Sequence, residues 1–212
     1  MQTWAIVVAA GGGARFGGAK QFVMLGGVSV VDRSVAVARD ACDGVVVVLP
    51  ADANWAAPDG VLLAVGGATR SDSVRAGLAM IPDDADVVIV HDAARPLASR
   101  RLFDLVVKAV AGDADGAVPA LTVSDTLKRV RDDRVVETVG RDGLVAVQTP
   151  QAFRARALRA AHRVGAFDTD DAALVEANGG VVVVVEGDRR NIKLTLPADL
   201  EVAEALLDGA RT

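Results

Sequence analysis

The sequence predicts an α/β fold in which a mostly parallel sheet is wrapped by helices, and three observations predict it. Short apolar runs rich in Val, Ile and Ala recur along the 212 residues, at 4–10, 44–49, 61–65, 86–91, 116–121 and 181–185. Continuous β-branched runs bounded by turn residues are the pattern of strands covered on both faces. Between them lie longer stretches with helical apolar spacing, and this alternation selects a parallel sheet. Hydrophobic residues make up 51% of the chain, enough for a full core, and the length fits one large domain.

Taken in order, the first run, Trp4 to Ala10, is stopped by Gly11 to Gly13. No basic segment precedes it and it is too short to span a bilayer, so it reads as a strand rather than a signal peptide or membrane span, and the protein is expected to be cytoplasmic. Residues 29–41 form the first helix, with Val31, Val35 and Ala38 on one face. The runs at 44–49 and 61–65 follow as strands. Residues 72–81 present Val74, Leu78 and Ile81 as a second helix, and 86–91 form the fourth strand. A third helix at 99–111 carries Leu102, Leu105, Val106 and Val110, and a strand at 116–121 follows it. The five valines at 181–185 read as a buried strand.

Residues 122–148 break this rhythm. They are polar and rich in β-formers, with turn signals at Asp132-Asp133 and Asp142-Gly143, and read as an antiparallel excursion from the main sheet. The excursion is either a solvated hairpin or an arm covered by a second copy of the chain. No repeat or linker divides the sequence, so one domain over 1–212 is expected, with a β-arm at about 122–148.

Composition excludes several function classes. A net charge of -5 and a pI near 5.0 argue against a nucleic-acid binder or a protein attracted to anionic membranes. Aromatics at 3%, with no Tyr, supply no stacking platform for single strands. Cys42 is the one cysteine, so no intrachain disulfide or thiolate zinc site is available, and it is expected to be a small buried residue. His91 and His162 are read as structural.

The strongest local signal is AAGGGARFGGAKQF at 9–22, directly after the first strand. Glycines permit positive φ and close backbone approach, so several N–H groups can converge on a phosphate chain, and Arg15 and Lys20 add charge to the same loop. The spacing matches neither common phosphate loop. From Gly11 the last glycine of the dinucleotide fingerprint falls on Phe16, and from Gly13 the middle one falls on Arg15. The P-loop pattern from Gly13 reaches Gly18 but meets Ala19 instead of Lys. The loop suits nucleotidyl transfer, in which charge gathers on phosphorus and on the leaving pyrophosphate while the protein supplies position and positive charge. HDAARP at 91–96 closes the fourth strand, where open parallel sheets collect ligands. Asp92 there is either a turn residue or a ligand for a hard cation such as Mg2+ beside phosphates.

Seven segments occur together and in order: the glycine loop, GGATRSDSVRAGL at 66–78, HDAARP at 91–96, DTLKR at 125–129, QTPQAF at 148–153, TDDAALVE at 169–176 and EGDRRNIKLT at 186–195. Over nearly the whole chain they resemble the 2-C-methyl-D-erythritol 4-phosphate cytidylyltransferase family. The resemblance implies a Rossmann-like nucleotidyltransferase domain with a protruding β-arm, a homodimer formed through that arm, and Mg2+ as the divalent cation. The implied reaction joins CTP to methylerythritol phosphate with release of pyrophosphate. By the same resemblance Arg15 and Lys20 stabilise the transition state. Ala9, Ala10, Gly11, Gly12, Gly67 and Ser73 surround the nucleotide, with Asp92 and Ala93 at the same site and Asp92 the expected metal ligand. Thr126, Arg141 and Thr149 hold the methylerythritol phosphate, the arm residues reaching across to the other subunit, and Arg141 and Lys193 position that phosphate for attack. Without the resemblance Lys193 reads equally well as an edge-strand lysine and Arg141 as a solvated charge.

The sequence departs from the family at three points. The loop from Arg15 to Lys20 is shorter than usual, Ala19 replaces a proline often found before the lysine, and Ala68 stands where an acidic residue often follows the glycine. The resemblance fixes no role for Arg70. Three rivals compete: a cytidylyltransferase acting on ribitol 5-phosphate or another polyol phosphate, a guanylyltransferase acting on molybdopterin, and a nucleotide-binding regulator without catalysis. The AARP ending of the motif and the residues before QTP favour methylerythritol phosphate. The β-arm and NIKLT count against the guanylyltransferase, and the intact set of Arg15, Lys20, Arg141 and Lys193 favours an enzyme.

Overall fold

The computed structural model describes residues 1–163 and 170–209, so Thr169, the first residue of TDDAALVE, lies outside the described residues. The chain runs β1 (Thr3–Val8), a small hairpin of β2 (Met24–Leu25) and β3 (Val28–Ser29), α1 (Val30–Ala41), β4 (Gly44–Leu49), β5 (Val61–Val65), α2 (Arg70–Leu78), β6 (Val87–Asp92), α3 (Arg100–Ala111) and β7 (Gly116–Thr122). A second hairpin of β8 (Leu127–Arg131) and β9 (Arg134–Val139) precedes β10 (Val145–Val147), β11 (Gln151–Arg154), α4 (Ala155–Arg163), α5 (Asp171–Ala177), β12 (Val182–Glu186) and α6 (Ala198–Asp208).

All six apolar runs are strands of one eight-stranded sheet, ordered β5-β4-β1-β6-β11-β7. β12 lies along the outer edge of β7, and β10 pairs with β7 on the side of β11. The strands β1, β4, β5 and β6 are parallel, as are β7 and β12, while β10 and β11 run antiparallel to their neighbours. β1 has β4 on one side and β6 on the other. The winding therefore reverses at β1, and the carboxyl ends of β1 and β6 border the switch point, where such sheets bind ligands.

Both faces of the sheet are covered, which is why the strands can be apolar without alternation. Ala5, Val7 and Ala9 of the first strand and its extension pack in one cluster with Val31 and Val35 of α1 and Phe103 and Val106 of α3. Ile6 faces the opposite cluster, with Val74 and Leu78 of α2, Leu158 of α4 and Leu174 of α5. A third, smaller cluster joins distant parts of the chain. Leu25, Val30, Leu194 and Ala203 are buried in it, with Phe16 of the glycine loop, Ile192 and Leu207 packed against them. It fastens the loop after β1 to the segment between β12 and α6.

Local chemistry sets the helix starts. The Ser29 hydroxyl accepts from the Asp32 amide at 3.2 Å and caps α1. At α2 the Thr69 hydroxyl accepts from the Asp72 amide at 3.0 Å while the Asp72 carboxylate accepts from the Thr69 amide at 3.0 Å, a reciprocal capping box. The helix accordingly begins at Arg70, two residues before the expected 72, and ends at Leu78 rather than 81. Ile81 is buried, but in the turn that follows.

The excursion is narrower than 122–148. β8 and β9 pair only with each other among the described residues, but Val145 pairs with Thr122 and Val147 with Ala120 inside the main sheet. The helices α4, α5 and α6 and the short strands β2, β3 and β11 are not among the elements expected from the sequence. The buried face of α4, Ala155, Leu158, Ala161 and His162, has helical spacing but is built largely from alanine, without the Val, Leu and Ile of the other helices. β10 and β11 are three and four residues long. Cys42 is half-buried rather than buried, and burial pushes its thiol up to about 12. No helix among the described residues is long and apolar enough to cross a membrane.

Phe153 is fully buried between β7 and the helices on that face, with its ring so close to Gly116 that an added Cβ there would lie 2.6 Å from it. Phe153→Ala should cost about 3–5 kcal/mol in urea unfolding, the usual range for a fully buried phenylalanine. A loss under about 1 kcal/mol would mean that the sheet and helices close over the cavity.

Candidate active site

The glycine loop is built by one carbonyl. Gly13 has a φ of 64°, and a Cβ added there would lie 1.9 Å from the Gly18 carbonyl oxygen, so only glycine closes the loop. The Gly13 carbonyl accepts from the Phe16 and Gly17 amides at 2.8 and 3.0 Å, and the Lys20 amide returns to the Gly18 carbonyl at 2.8 Å. Opposite, a Cβ on Gly66 would lie 2.2 Å from the Ala10 Cβ, so the loop after β5 lies directly against the loop after β1. Lys20 Nζ donates to the Leu194 carbonyl at 2.6 Å. Burial, and then the Lys193 ammonium, hold Lys20 below its ordinary value, with Asp92 opposing them.

Asp92 ends β6 and is nearly buried. Lys193 Nζ donates to its Oδ2 at 2.6 Å and Arg70 Nε to its Oδ1 at 3.2 Å. Its amide donates to Thr149 Oγ1 at 3.0 Å, and that hydroxyl lies 3.1 Å from His91 Nδ1. Burial alone would push the Asp92 carboxyl up, but Arg70, Lys193 and Arg95 together outweigh it and hold the group well below the usual carboxylate range. Arg70 is likewise desolvated, and Asp171 and Asp92 more than compensate, so its guanidinium is raised.

The segment carrying Lys193 is held from below. The Asn191 amide group donates to the Thr149 carbonyl at 2.9 Å, Gln148 Nε2 donates to the Asp188 carbonyl at 2.9 Å, and Arg95 Nη1 donates to the Asn191 carbonyl at 2.8 Å. The Leu194 amide donates to the Ala94 carbonyl at 2.8 Å. Lys193 is therefore no ordinary edge-strand lysine; it sits on an irregular segment between β12 and α6.

Two clefts open at this point. The first, of about 290 Å³, is lined by Ala9, Ala10, Gly11, Gly12, Lys20, Gly67, Ser73, Asp92, Ala93 and Lys193, together with Ala68, Thr69 and Arg70. The second, of about 200 Å³, is lined by Thr149, Arg95, Gln148, Gln151 and Asp170. Both include Arg70, Asp92 and Lys193, which form a shared wall. Cations outnumber carboxylates along it, and a site with that balance suits anions such as phosphates.

The structure thus brings together all the residues expected at the nucleotide, with Thr149 and Lys193 beside them. It does not bring Arg15, Thr126 or Arg141 to either cleft. Arg15 is exposed on the glycine loop. Thr126 and Arg141 are exposed at the base of the β8–β9 hairpin, where Arg141 donates to the Ser124 carbonyl. Asp92, expected at a metal, has one oxygen on Lys193 and the other on Arg70, and no group of three His, Cys, Asp or Glu able to hold a metal occurs among the described residues. Sequence reasoning missed Arg95, Gln148 and Asn191. Arg95 lies inside HDAARP, and its place two residues after the alanine at the strand end was the available signal. Gln148 and Asn191 act through backbone carbonyls, which no sequence pattern announces.

The family description that matches the chain is 2-C-methyl-D-erythritol 4-phosphate cytidylyltransferase, over residues 3–209. The bifunctional enzyme IspD/IspF of Rhodospirillum rubrum is 46% identical over 97% of the chain and 57% of its own length. The 2-C-methyl-D-erythritol 4-phosphate cytidylyltransferase of Frankia casuarinae is 45% identical over 96% of the chain and 80% of its own length. The chain spans little more than half the length of the bifunctional relatives it matches. Among solved structures, the 2-C-methyl-D-erythritol 4-phosphate cytidylyltransferase of Thermus thermophilus superposes with a TM-score of 0.86 at 38% identity, covering 100% of both chains.

His91 supports this site from a fully buried position against Phe103. Burial lowers its pKa to about 4, with Asp92 opposing and Arg95 assisting. In the unfolded chain an imidazole takes up a proton near its ordinary 6.5, but in the fold it does so only near 4. Falling pH therefore favours the unfolded chain across that window, and stability present above pH 6.5 is lost as pH falls toward 4. The loss is on the order of 3 kcal/mol. Urea unfolding of the wild type should weaken over this window, and His91→Gln should flatten the slope; identical slopes would assign the titration to another group.

Proposed function

Because the chain belongs to the 2-C-methyl-D-erythritol 4-phosphate cytidylyltransferase family, we propose that it transfers the cytidylyl group of CTP to 2-C-methyl-D-erythritol 4-phosphate. The products are 4-diphosphocytidyl-2-C-methyl-D-erythritol, an isoprenoid precursor, and pyrophosphate. One observation carries the reading. The cleft edged by the glycine loop and the cleft edged by Thr149 and Arg95 share the wall of Arg70, Asp92 and Lys193. A nucleotide in the first and a phosphate monoester in the second meet at that wall.

An oxygen of the acceptor phosphate attacks the α-phosphorus of CTP. A new P–O bond forms as the bond from the α-phosphorus to the oxygen bridging to the β-phosphate breaks, and pyrophosphate leaves with that electron pair. The monoester is already anionic, so the step needs no protein nucleophile and no general base. Catalysis comes from alignment and from positive charge on the phosphates. In this reading Ala9, Ala10, Gly67, Ser73 and Ala93 border the base and ribose, while Gly11 and Gly12 let the backbone approach the triphosphate. Lys20 and Arg15 meet the charge that grows on the α-phosphate and the leaving group. Thr149 and Lys193 hold the acceptor phosphate. Ala68 offers no side-chain carboxylate to the nucleotide, which leaves backbone groups to replace it.

The rest of the reading concerns assembly and the metal. Thr126 and Arg141 reach an acceptor only in a homodimer, where the hairpin of one subunit leans on the neighbour's site. The exposed Val130, Val135 and Val136 of that hairpin support such a docking surface. The 212 residues act as one catalytic domain bearing this arm. The donor set does not make a resident metal site, because the Asp92 carboxylate is already shared between two cations. Mg2+ is proposed instead to arrive on the phosphate oxygens of CTP, held by those oxygens and water. The two substrates are small water-soluble phosphates, which fits a cytoplasmic enzyme.

Pyrophosphate release tests the proposal, with CTP, Mg2+ and either methylerythritol phosphate or ribitol 5-phosphate, and with ATP, GTP and UTP as controls. Release that needs both CTP and methylerythritol phosphate is expected. Release with ribitol 5-phosphate alone would move the acceptor to a different polyol, and none with any pair would leave a nucleotide-binding protein. Lys20→Ala should bind CTP nearly normally and lose roughly 10²–10³ in turnover, by analogy with removing one oxyanion donor.

Shared sites have a separate test. Arg15→Ala and Arg141→Ala proteins, each inactive, should regain part of the activity when mixed heterodimers form. Mixed dimers that form and stay inactive would mean that each site is complete within one chain.

A further inference from the structure

Neither Arg70 nor the TDDAALVE segment has a role in the chemistry so far. The structure joins them. Asp170 caps α5 by accepting from the Ala173 amide at 3.0 Å, which sets Asp171 in the first turn with its side chain wholly buried. Asp171 Oδ2 accepts from Arg70 Nη1 at 2.6 Å, and its Oδ1 lies 2.9 Å from His162 Nε2 on α4. The opposite edge of the same guanidinium gives Nε to Asp92 Oδ1, and Asp92 Oδ2 receives Lys193 Nζ. A line of paired groups therefore runs from His162 through Asp171, Arg70 and Asp92 to Lys193. Arg70 lines both clefts, whereas Asp171 lines neither.

A buried carboxylate is costly unless it is fully paired, and removing one member of a buried pair leaves the other charge uncompensated. Here the buried charge has a geometric effect. Arginine presents a rigid planar fork, and two carboxylates gripping two of its edges leave it one orientation. With Arg70 so fixed, Asp92 cannot rotate freely about its side-chain bond, and the oxygen that meets Lys193 keeps its direction. We infer that Asp171 is a positioning residue which, through Arg70 and Asp92, sets the place of the Lys193 ammonium at the wall between the two clefts. The inference rests on the proposed reading of Lys193 as the holder of the acceptor phosphate.

The variant Asp171→Asn keeps the shape and an acceptor oxygen but removes the charge. Its kcat/KM for methylerythritol phosphate should fall roughly 10- to 100-fold, as expected for a small displacement of a positioning group, while the KM for CTP stays within about threefold. In an Arg70→Gln background the same substitution should add less than about twofold, because the residues act in series. A purely structural role predicts a lower melting temperature with unchanged acceptor kinetics, or equal losses for both substrates, and either result overturns the inference. If Asp171→Asn does not fold, Arg70→Gln alone carries the test, and an unchanged kcat/KM for the acceptor overturns it. A crystal structure of Asp171→Asn, or of Arg70→Gln in that case, reads the geometry without turnover. A shifted Lys193 supports the inference, and Lys193 unmoved on Asp92 overturns it, even if the acceptor proves to be another polyol phosphate.

Discussion

The Asp92 carboxylate, nearly buried at the end of the middle of the sheet and gripped by two cations, is the constraint on which the site depends. Its position comes from the fold: β6 ends there beside β1, where the winding reverses, and the two clefts open at these strand ends. Its charge state comes from neighbours recruited from far along the chain, Arg70 from the start of α2 and Lys193 from the segment after β12. A lone carboxylate at that depth would take up a proton. Paired twice, it stays ionised and in turn keeps two cations where phosphates are expected to gather. The same group therefore acts as an anchor, and this accounts for its being saturated by protein donors rather than left open for a metal.

Around that anchor the molecule solves a problem of reach. The glycine loop and the Lys193 segment are separated by most of the sequence, yet Lys20 meets the Leu194 carbonyl and Phe16 packs in one cluster with Leu194 and Ile192. The small α6–hairpin cluster is thus part of the site's rigidity as much as of the fold's. Gln148, Asn191 and Arg95 complete it by tying backbone carbonyls together under Lys193. Rigid support of this kind is what makes positive charge effective, since a flexible lysine would solvate itself instead of a transition state.

Much of this was legible in the sequence, and unevenly so. All six apolar runs became strands because burial on both faces demands unbroken Val, Ile and Ala. The order of segments singled out the residues expected at a nucleotide, and Ala9 through Gly12, Gly67, Ser73, Asp92 and Ala93 do line one cleft. The elements that escaped notice are short or are built from small residues. α4 buries alanines and a histidine, β11 has four residues, and the start of α2 is fixed by a capping box and not by its apolar face. Arg70 stood in plain view without a role, because what it does depends on Asp171, 101 residues away. Thr126 and Arg141 illustrate a different limit: in the single chain they are exposed and reach neither cleft.

The long separation between the site's two halves also has a consequence in time. The glycine loop, α2 and β6 leave the ribosome about a hundred residues or more before Lys193, the carbonyl of Leu194 and the buried face of α6. Until they do, Asp92 has only one of its two cationic partners and Phe16 lacks the apolar surface that holds the loop down. A nascent chain can therefore assemble most of its sheet while the cleft beside the glycine loop is still unfinished. The cleft closes only when the segment after β12 folds back across most of the chain to meet the glycine loop and Asp92.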